Sequence, residues 1–343
     1  MRDYASRSYL SVGEVAAYLG IPVREVHKLA RCNALKSYKS TSGQYRFTLA
    51  EVKKVTLPKR TRTKAGVGAR SVLHVHDTEQ KLYCADARSM TGLEDESVHL
   101  CITSPPYFNA KMYSRGEAND LGNIHDLEEW FAEIGKVWAE VFRVLQNGRK
   151  FFLNIMNLPV RNNGSYRTLN LVGKSVDLCE QIGFVFKRDI VWHKTNGVRA
   201  HFGTYPYPGG ILINNMHEFI LEFHKPEKSG VNKYGHVSKQ EREKSKLDKS
   251  FWLSIKNSDV WIMKPEKSGE NRIHVAPFPV ELPVRLIKAY SFVGETVLDP
   301  FCGSGTTLRA AAIENRNGVG YELNKEFLQY AKQQLELENN KLI

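Results

Sequence analysis

Two stretches of this sequence carry residue types that could do chemistry together. Thr103-Ser104-Pro105-Pro106-Tyr107 follows the apolar run Val98-His99-Leu100-Cys101-Ile102. Consecutive prolines stiffen the backbone, so the Ser104 hydroxyl and the Pro105 carbonyl are held as two acceptors next to the Tyr107 ring. The second stretch lies almost two hundred residues further on. There Thr296-Val297-Leu298-Asp299 reads as a short buried strand, and Pro300-Phe301-Cys302-Gly303-Ser304-Gly305-Thr306-Thr307 as a Gly-rich turn opening a helix from Leu308 to Glu314. Strand, tight turn and helix make a ligand cradle, with backbone N–H groups at a helix N-terminus and an acid at a strand's end. No Lys follows the glycines, so this is not a phosphate loop. A dinucleotide fingerprint needs a third glycine where Leu308 or Arg309 stands. Gly318-Val319-Gly320-Tyr321-Glu322 supplies a second strand ending in an acid, about twenty residues on, where such folds bind ribose hydroxyls. An adenosine without a pyrophosphate fits best.

Strands and helices must bring these stretches together. Gln80 to Ala85 reads as a strand ending at Asp86, followed by a short helical stretch around Arg88 to Leu93 and then the strand into Thr103. A polar loop runs from Asn109 to Asn123. Leu127 to Leu145 has helical periodicity, with Trp130, Phe131, Ile134, Val137, Trp138, Val141 and Val144 as a core-facing stripe. Gly148 is expected to end that helix, and Lys150 to Ile155 to form the next core strand. Val185 to His193 and His217 to His224 read as two more strands, the second an edge or hairpin partner of the first. His193 and His217 read as capping or packing residues, since no second ligand stands at metal spacing, and no metal is expected. From Pro226 to Arg272 the pattern dissolves into mixed charge and then Phe251 to Ile262, with Trp252 and Trp261. His274 to Pro279 leads into a helix from Val280 to Tyr290, and Phe327 to Leu337 reads as the closing helix.

DPFCGSGTT with a following GYE, and TSPPY at the end of another strand, resemble the cofactor and catalytic motifs of the S-adenosylmethionine-dependent amino methyltransferases of DNA. Related PPY tetrapeptides also occur in enzymes that methylate RNA or protein glutamine. The order here, catalytic motif before cofactor motif, is that of the permuted group called beta, and the resemblance covers roughly residues 76 to 343. It implies an α/β fold with a Rossmann-like methyltransferase sheet, circularly permuted, so that the strand of residues 80 to 86 lies beside the one ending at Glu322. Adjacent termini make such a permutation tolerable. It further implies S-adenosyl-L-methionine as cofactor, with Asp86, Thr103, Phe278, Asp299, Phe301, Gly303, Ser304, Gly305, Thr306 and Glu322 at its site, and Ser104, Pro105, Pro106 and Tyr107 as the catalytic group. Asp86, in CADA where Gly is frequent at Ala85, would serve equally as a helix N-cap. In the resembled family the segment that reads DNA sequence precedes the cofactor motif, so residues 226–272 are the candidate target-recognition insertion. Leu158 to Arg167 and Asn196 to Gly210 are loops that could flank the same cleft, and an ordinary surface insertion would read the same way.

The implied chemistry explains the catalytic residue types. An exocyclic amine has its lone pair delocalised into the ring and is a poor nucleophile until acceptors favour a tetrahedral nitrogen. Ser104 and the Pro105 carbonyl can accept from it while Tyr107 stacks on the base. A duplex base reaches such a pocket only when flipped out, at roughly a few kcal/mol. Alignment of amine and methyl would supply most of the rate. Attack through carbon-5 of cytosine would need a nucleophilic Cys, in the resembled enzymes typically after Pro, and none of the five cysteines follows a proline. Relatives with Ser before PPY mostly act on cytosine and those with Asp or Asn mostly on adenine. Ser104 thus favours N4 of cytosine over N6 of adenine, although a hydroxyl can accept from either.

The remaining sequence points to a polyanionic partner. The chain has 343 residues, 42% of them hydrophobic, enough for one large core and a small second domain. Its net charge of +12 suits nucleic acid, as it would many ribosomal or membrane-surface proteins. No apolar run approaches the roughly 20 residues of a membrane helix, and Met1-Arg2-Asp3-Tyr4 lacks a signal peptide's apolar region, so a cytoplasmic, nucleoid-associated protein of bacterial type is expected. Five widely spaced cysteines without a CxxC pair suggest reduced thiols. Ser11-Val12-Gly13-Glu14 is a capping box, Gly20 ends its helix, and Pro22 can start a second one over Val23 to Cys32. That helix offers Arg24, His27, Lys28 and Arg31 outward against Val26 and Leu29. Leu35 to Phe47 reads as a wing carrying Arg46, and Thr48-Leu49-Ala50-Glu51 as another capping box. Residues 1–57 therefore resemble the winged helix-turn-helix DNA-binding domains of the MerR and excisionase kind, with a packing or dimerisation domain as the alternative. Residues 58–73 form a basic linker and 74–343 the methyltransferase domain. The expected partners are double-stranded DNA and a restriction endonuclease sharing its site, with the chain a monomer or homodimer. A non-catalytic DNA-binding regulator, or an RNA or protein methyltransferase, remains as a reading from another class.

Overall fold

Val98 to Thr103 is buried along nearly its whole length, as a strand at the centre of a parallel sheet must be. The computed structural model that contains it describes residues 9–19, 26–27, 29–30, 35–39, 45–54, 69–108, 120–162, 165–195, 206, 208–211, 213–230, 232–266 and 278–342. The chain divides into two units, one within the residues up to Ala65 and one from Gly66 onward.

The small unit holds β1 (Leu10–Ser11), α1 (Val12–Leu19), β2 (Tyr38–Lys39), β3 (Tyr45–Phe47) and α2 (Leu49–Lys54), with residues 26–27 and 29–30 also helical. Ser11 Oγ accepts from the Glu14 amide, and Glu14 Oε2 accepts from the Ser11 amide at 2.9 Å, so the first capping box is formed. β3 lies between β1 and β2, antiparallel to both. Val15, Val26, Leu35, Phe47 and Val52 bury against one another as its core. The hairpin expected at 35–47 is present, and β1 is a third strand that two residues of sequence could not announce.

The large unit runs β4 (Ala69–Val75), β5 (Thr78–Cys84), β6 (Val98–Thr103), α3 (Leu127–Val144), β7 (Leu145–Ile155), β8 (Leu158–Asn162), β9 (Ser165–Leu169), α4 (Leu171–Ile182), β10 (Val185–Lys194), β11 (His217–His224), α5 (Lys239–Lys244), α6 (Lys249–Lys256), β12 (Val260–Met263), α7 (Glu281–Tyr290), β13 (Thr296–Asp299), α8 (Thr306–Ile313), β14 (Asn317–Glu322) and α9 (Lys325–Asn339). Nine strands form one sheet in the order β12-β10-β11-β7-β6-β13-β14-β5-β4. From β7 to β5 neighbouring strands are parallel, while β11 and the edge strand β4 run the other way. β5 therefore sits beside β14, as the permuted reading requires. Phe151 and Phe152, adjacent on β7, point to opposite faces. Phe151 meets Trp138 of α3 with ring centres 5.1 Å apart, and Phe152 meets Tyr290 of α7 at 4.8 Å. Leu282, Leu286 and Ile287 of α7 join Leu100, Ile102 and Val297 in the larger core cluster, so helices cover both faces.

Several expectations need correction. Ala69 to Leu73 belongs to β4, not to the linker, because it pairs with β5 across a two-residue turn in which His76 takes φ 53°. Arg88 to Leu93 forms turns, not a helix. α3 passes directly into β7 at Leu145, and Gly148 lies inside that strand at φ 77°. β11 pairs antiparallel with β10 as its expected partner but is an interior strand, not an edge, because β10 and then β12 extend the sheet beyond it. Residues 260–263 of the candidate recognition insertion are thus part of the sheet, with Trp261 and Met263 in the core and Val260 and Ile262 exposed. Their alternation is that of a half-covered edge strand. Leu158 to Arg167 lies mostly in the β8–β9 hairpin.

Candidate active site

The carboxyl ends of β5, β6, β13 and β14 lie along one edge of the sheet, where open α/β sheets form ligand crevices. A cleft of about 970 Å³, counting its open mouth, opens there. Ser104, Pro105, Pro106 and Tyr107 line it together with Asp86, Phe278, Asp299, Phe301, Ser304, Thr306 and Glu322. The two stretches that are far apart in sequence therefore meet in one cavity.

They meet through Asp299. Thr103 Oγ1 donates to its Oδ1 at 2.7 Å, Thr307 Oγ1 to its Oδ2 at 2.6 Å, and the Phe301 amide to Oδ1 at 3.0 Å. Burial pushes the Asp299 carboxyl up to about 6 against the pull of these three donors. Asp299 thus ties the end of β6 to the turn before α8. Gly303 and Gly305 take left-handed φ values of 47° and 80°, which let the chain reverse into α8. A Cβ on Gly305 would lie 2.9 Å from the Ala331 Cβ of α9, and one on Gly320 only 2.7 Å from Cys302 Sγ. Both glycines permit close backbone approach.

Glu322 ends β14 and is the other acid of the cleft floor. Its Oε2 accepts from the Gly303 amide at 3.0 Å and its Oε1 from the Asn324 amide at 2.9 Å, while burial pushes its carboxyl up to about 7. Asp86 lines the cleft but is held by Arg88, whose amide donates at 2.9 Å and whose Nη2 donates at 2.6 Å. Arg88 in turn pairs with Glu133 of α3. Asp86 caps a turn, not the helix that its alternative reading required, and faces the cleft as well. Thr103, Gly303 and Gly305 shape the site without lining it.

Asp120, Leu121, Tyr321, Asn324 and Phe327 also line the cleft and were not anticipated. Asn324 caps α9, accepting from the Glu326 amide at 2.8 Å, and that cap was legible as an Asn three residues before Phe327. Asp120 sits in a loop without periodicity and gave no signal. Asp86, Asp120, Asp299 and Glu322 are four carboxyls, and no Lys, Arg or His is among the described lining residues. Such a lining suits a ligand with hydroxyls and positive charge and repels pyrophosphate. Phe278, Phe301 and Phe327 add apolar walls.

Elsewhere, His99, His236 and Glu295 bring their ligand atoms within 4.8 Å. Arg149 already pairs with Glu295, and His99 Nδ1 accepts from the Thr296 amide at 3.1 Å. Burial, and then Arg149, hold His99 down near 3, so a cation already occupies the place of a metal. In the small unit, His27 is half-buried and its ring packs edge-on against Tyr45 at 5.7 Å between ring centres. Arg46 lies half-buried on β3 and donates to the Tyr45 carbonyl at 3.1 Å. Arg24, Lys28 and Arg31 lie outside the described residues.

The model of the DNA methylase family matches residues 98–333, and that of a helix-turn-helix domain matches residues 9–55. The type II methyltransferase M.MjaI of Methanocaldococcus jannaschii is 32% identical over 280 residues, covering 72% of this chain and 88% of that one. M.MthZI of Methanothermobacter thermautotrophicus, also a type II methyltransferase, is 30% identical over 272 residues, covering 73% and 74%. Among solved structures, TTHA0409 of Thermus thermophilus, an inferred DNA modification methylase in complex with S-adenosyl-L-methionine, superposes with a TM-score of 0.61 at 33% identity over 76% of this chain and 94% of that one. The PvuII cytosine-N4-specific DNA methyltransferase shares the fold, with a TM-score of 0.57 at 16% identity over 81% and 96%.

Proposed function

The chain belongs to the family of S-adenosyl-L-methionine-dependent DNA methylases that modify exocyclic amines, and from that premise we propose that it is a site-specific enzyme whose target is N4 of cytosine. The observation that carries the choice of base is Ser104, a hydroxyl lining the cleft directly before Pro105 and Pro106. A carboxylate or amide at this position would be the resemblance's mark of adenine chemistry.

Asp86, Asp120, Asp299 and Glu322 fit the cofactor's hydroxyls and positive charge, and Phe278 and Phe301 its flat base. When bound, the cofactor supplies an activated methyl group. The chain's own residues do the rest. A flipped cytosine enters beside Tyr107 and stacks on its ring. Its amine donates to Ser104 Oγ and to the Pro105 carbonyl, which frees the nitrogen lone pair to point at the methyl. The fixed Pro105-Pro106 backbone holds both acceptors still, so alignment costs little at the moment of transfer.

Residues 226–272 are the proposed target-reading segment, and the helix-turn-helix supplies either extra DNA grip or repression of its own gene. Deleting residues 1–57 without effect on operator binding or methylation would remove both roles. A restriction endonuclease with the same site is the proposed partner, in keeping with the type II relatives, and the chain works in the cytoplasm as a monomer or homodimer. The deciding measurement is single-molecule sequencing of DNA from a methylation-free host expressing the chain, with Ser104→Ala as control. Modified cytosine amines in one short motif support the reading. Modified adenines keep the enzyme and overturn the base assignment, and no mark in either sample overturns catalysis in favour of a DNA-binding regulator.

A further inference from the structure

Behind the catalytic tetrapeptide lies a buried polar group that the proposed reaction does not yet use. Tyr107 Oη donates to Glu218 Oε2 at 3.1 Å. Glu218, on β11, is only 8% exposed. The same oxygen accepts from Asn154 Nδ2 of β7, and Lys194, at the end of β10, pairs with the other oxygen. The far end of the Asn154 amide, Oδ1, has no hydrogen-bond partner among the described residues, so among them only Glu218 orients that side chain. Lys194 is placed in turn by its ammonium lying over the Trp192 ring, 5.2 Å from its centre, and Trp192 Nε1 donates to the Met263 carbonyl of β12 at 3.0 Å. Three neighbouring strands thus converge on the hydroxyl of one aromatic ring.

We infer that Glu218 is a positioning residue for the methyl-transfer step, holding the Tyr107 ring in the plane on which the target base stacks. Prolines 105 and 106 restrain the backbone before Tyr107 and do not by themselves fix its side-chain torsions. A stacking platform must have a fixed plane. Donation to a carboxylate is among the stronger hydrogen bonds, and Lys194, paired with the other oxygen, holds that carboxylate in place. The inference rests on the proposed reading of Tyr107 as the base-stacking residue.

The test uses the full chain, methyl transfer to duplex DNA carrying its site, and calorimetric binding of S-adenosyl-L-methionine. Phe stacks as well as Tyr, so a ring that only stacks would tolerate Tyr107→Phe. We expect Tyr107→Phe to lower kcat about tenfold with cofactor affinity and thermal midpoint unchanged. Glu218→Gln should lower it to a similar degree, and the double variant should be no slower than the slower single one, because both changes act on kcat through the shared Tyr107–Glu218 contact. Losses that multiply, or an unchanged kcat in Tyr107→Phe, overturn the inference while the methyltransferase reading stands. Should Glu218→Gln fail to fold, the Tyr107→Phe result decides alone. A wild-type chain that methylates no DNA takes both the inference and its premise down together.

Discussion

Asp299 and Glu322 are carboxyls that burial holds near 6 and near 7, against 3.8 and 4.5 in water. Between those values the native state binds protons that the unfolded chain has lost, so stability falls as pH rises from about 4 to about 7. At 1.36 kcal/mol per unit each group contributes a loss of about 3 kcal/mol over that range. Thermal melting of the cofactor-free protein should therefore show a falling midpoint from pH 5 to pH 8, and Glu322→Gln should flatten the upper part of that slope. An identical slope in the variant would falsify the assignment to Glu322. Donors from the cofactor's hydroxyls favour the carboxylate, so affinity should rise with pH through about 7, with proton release visible as a buffer-dependent binding enthalpy. Thr103→Val removes one donor to Asp299. It should cost about 2 kcal/mol at pH 8, where the carboxylate is charged, and clearly less at pH 4.5. Equal losses at both values would mean that Thr103 matters only for packing.

At the scale of elements, the turn between β13 and α8 depends on close approach. Gly305 stands at φ 80° against Ala331, so Gly305→Ala combines left-handed strain with a clash. We expect a loss of about 2–3 kcal/mol together with weaker cofactor binding, read by melting and calorimetry. Gly13, in α1, is the contrast. A Cβ there meets nothing within 4 Å, so Gly13→Ala should stabilise the small unit by about 0.5 kcal/mol. If the two substitutions had similar effects, the geometry of the β13–α8 turn would not be what makes its glycines necessary.

For the whole molecule the distribution of charge matters more than its sum. Residues 1–65 carry 14 Lys and Arg against four Asp and Glu, so ten of the twelve net positive charges lie there. The large unit is nearly neutral. Phosphate contacts release counterions and make affinity fall with salt. A chain beginning at Gly66 should accordingly bind S-adenosyl-L-methionine as the full chain does, yet bind non-specific duplex DNA more weakly and with a shallower salt dependence. Titrations of both chains at several salt concentrations measure this, and equal slopes would place the DNA contacts in the large unit.

Much of this was legible locally. The apolar runs of β6 and β13, the stripe of α3, the capping box at Ser11 and the N-cap at Thr48 are each local in sequence, and so are the two motifs that announce the family. Their chemistry depends on side-chain type and short spacing, which sequence shows directly. What only the tertiary structure decided depends on partners more than a hundred residues apart. The hydrogen bond from Thr103 to Asp299 spans 196 positions and that from Tyr107 to Glu218 spans 111. The conversion of residues 260–263 into an edge strand and the entry of Asp120 into the cleft follow from the order of strands across the sheet. A buried carboxyl is satisfied by whichever donors the assembled sheet brings near, and no local pattern records which those will be.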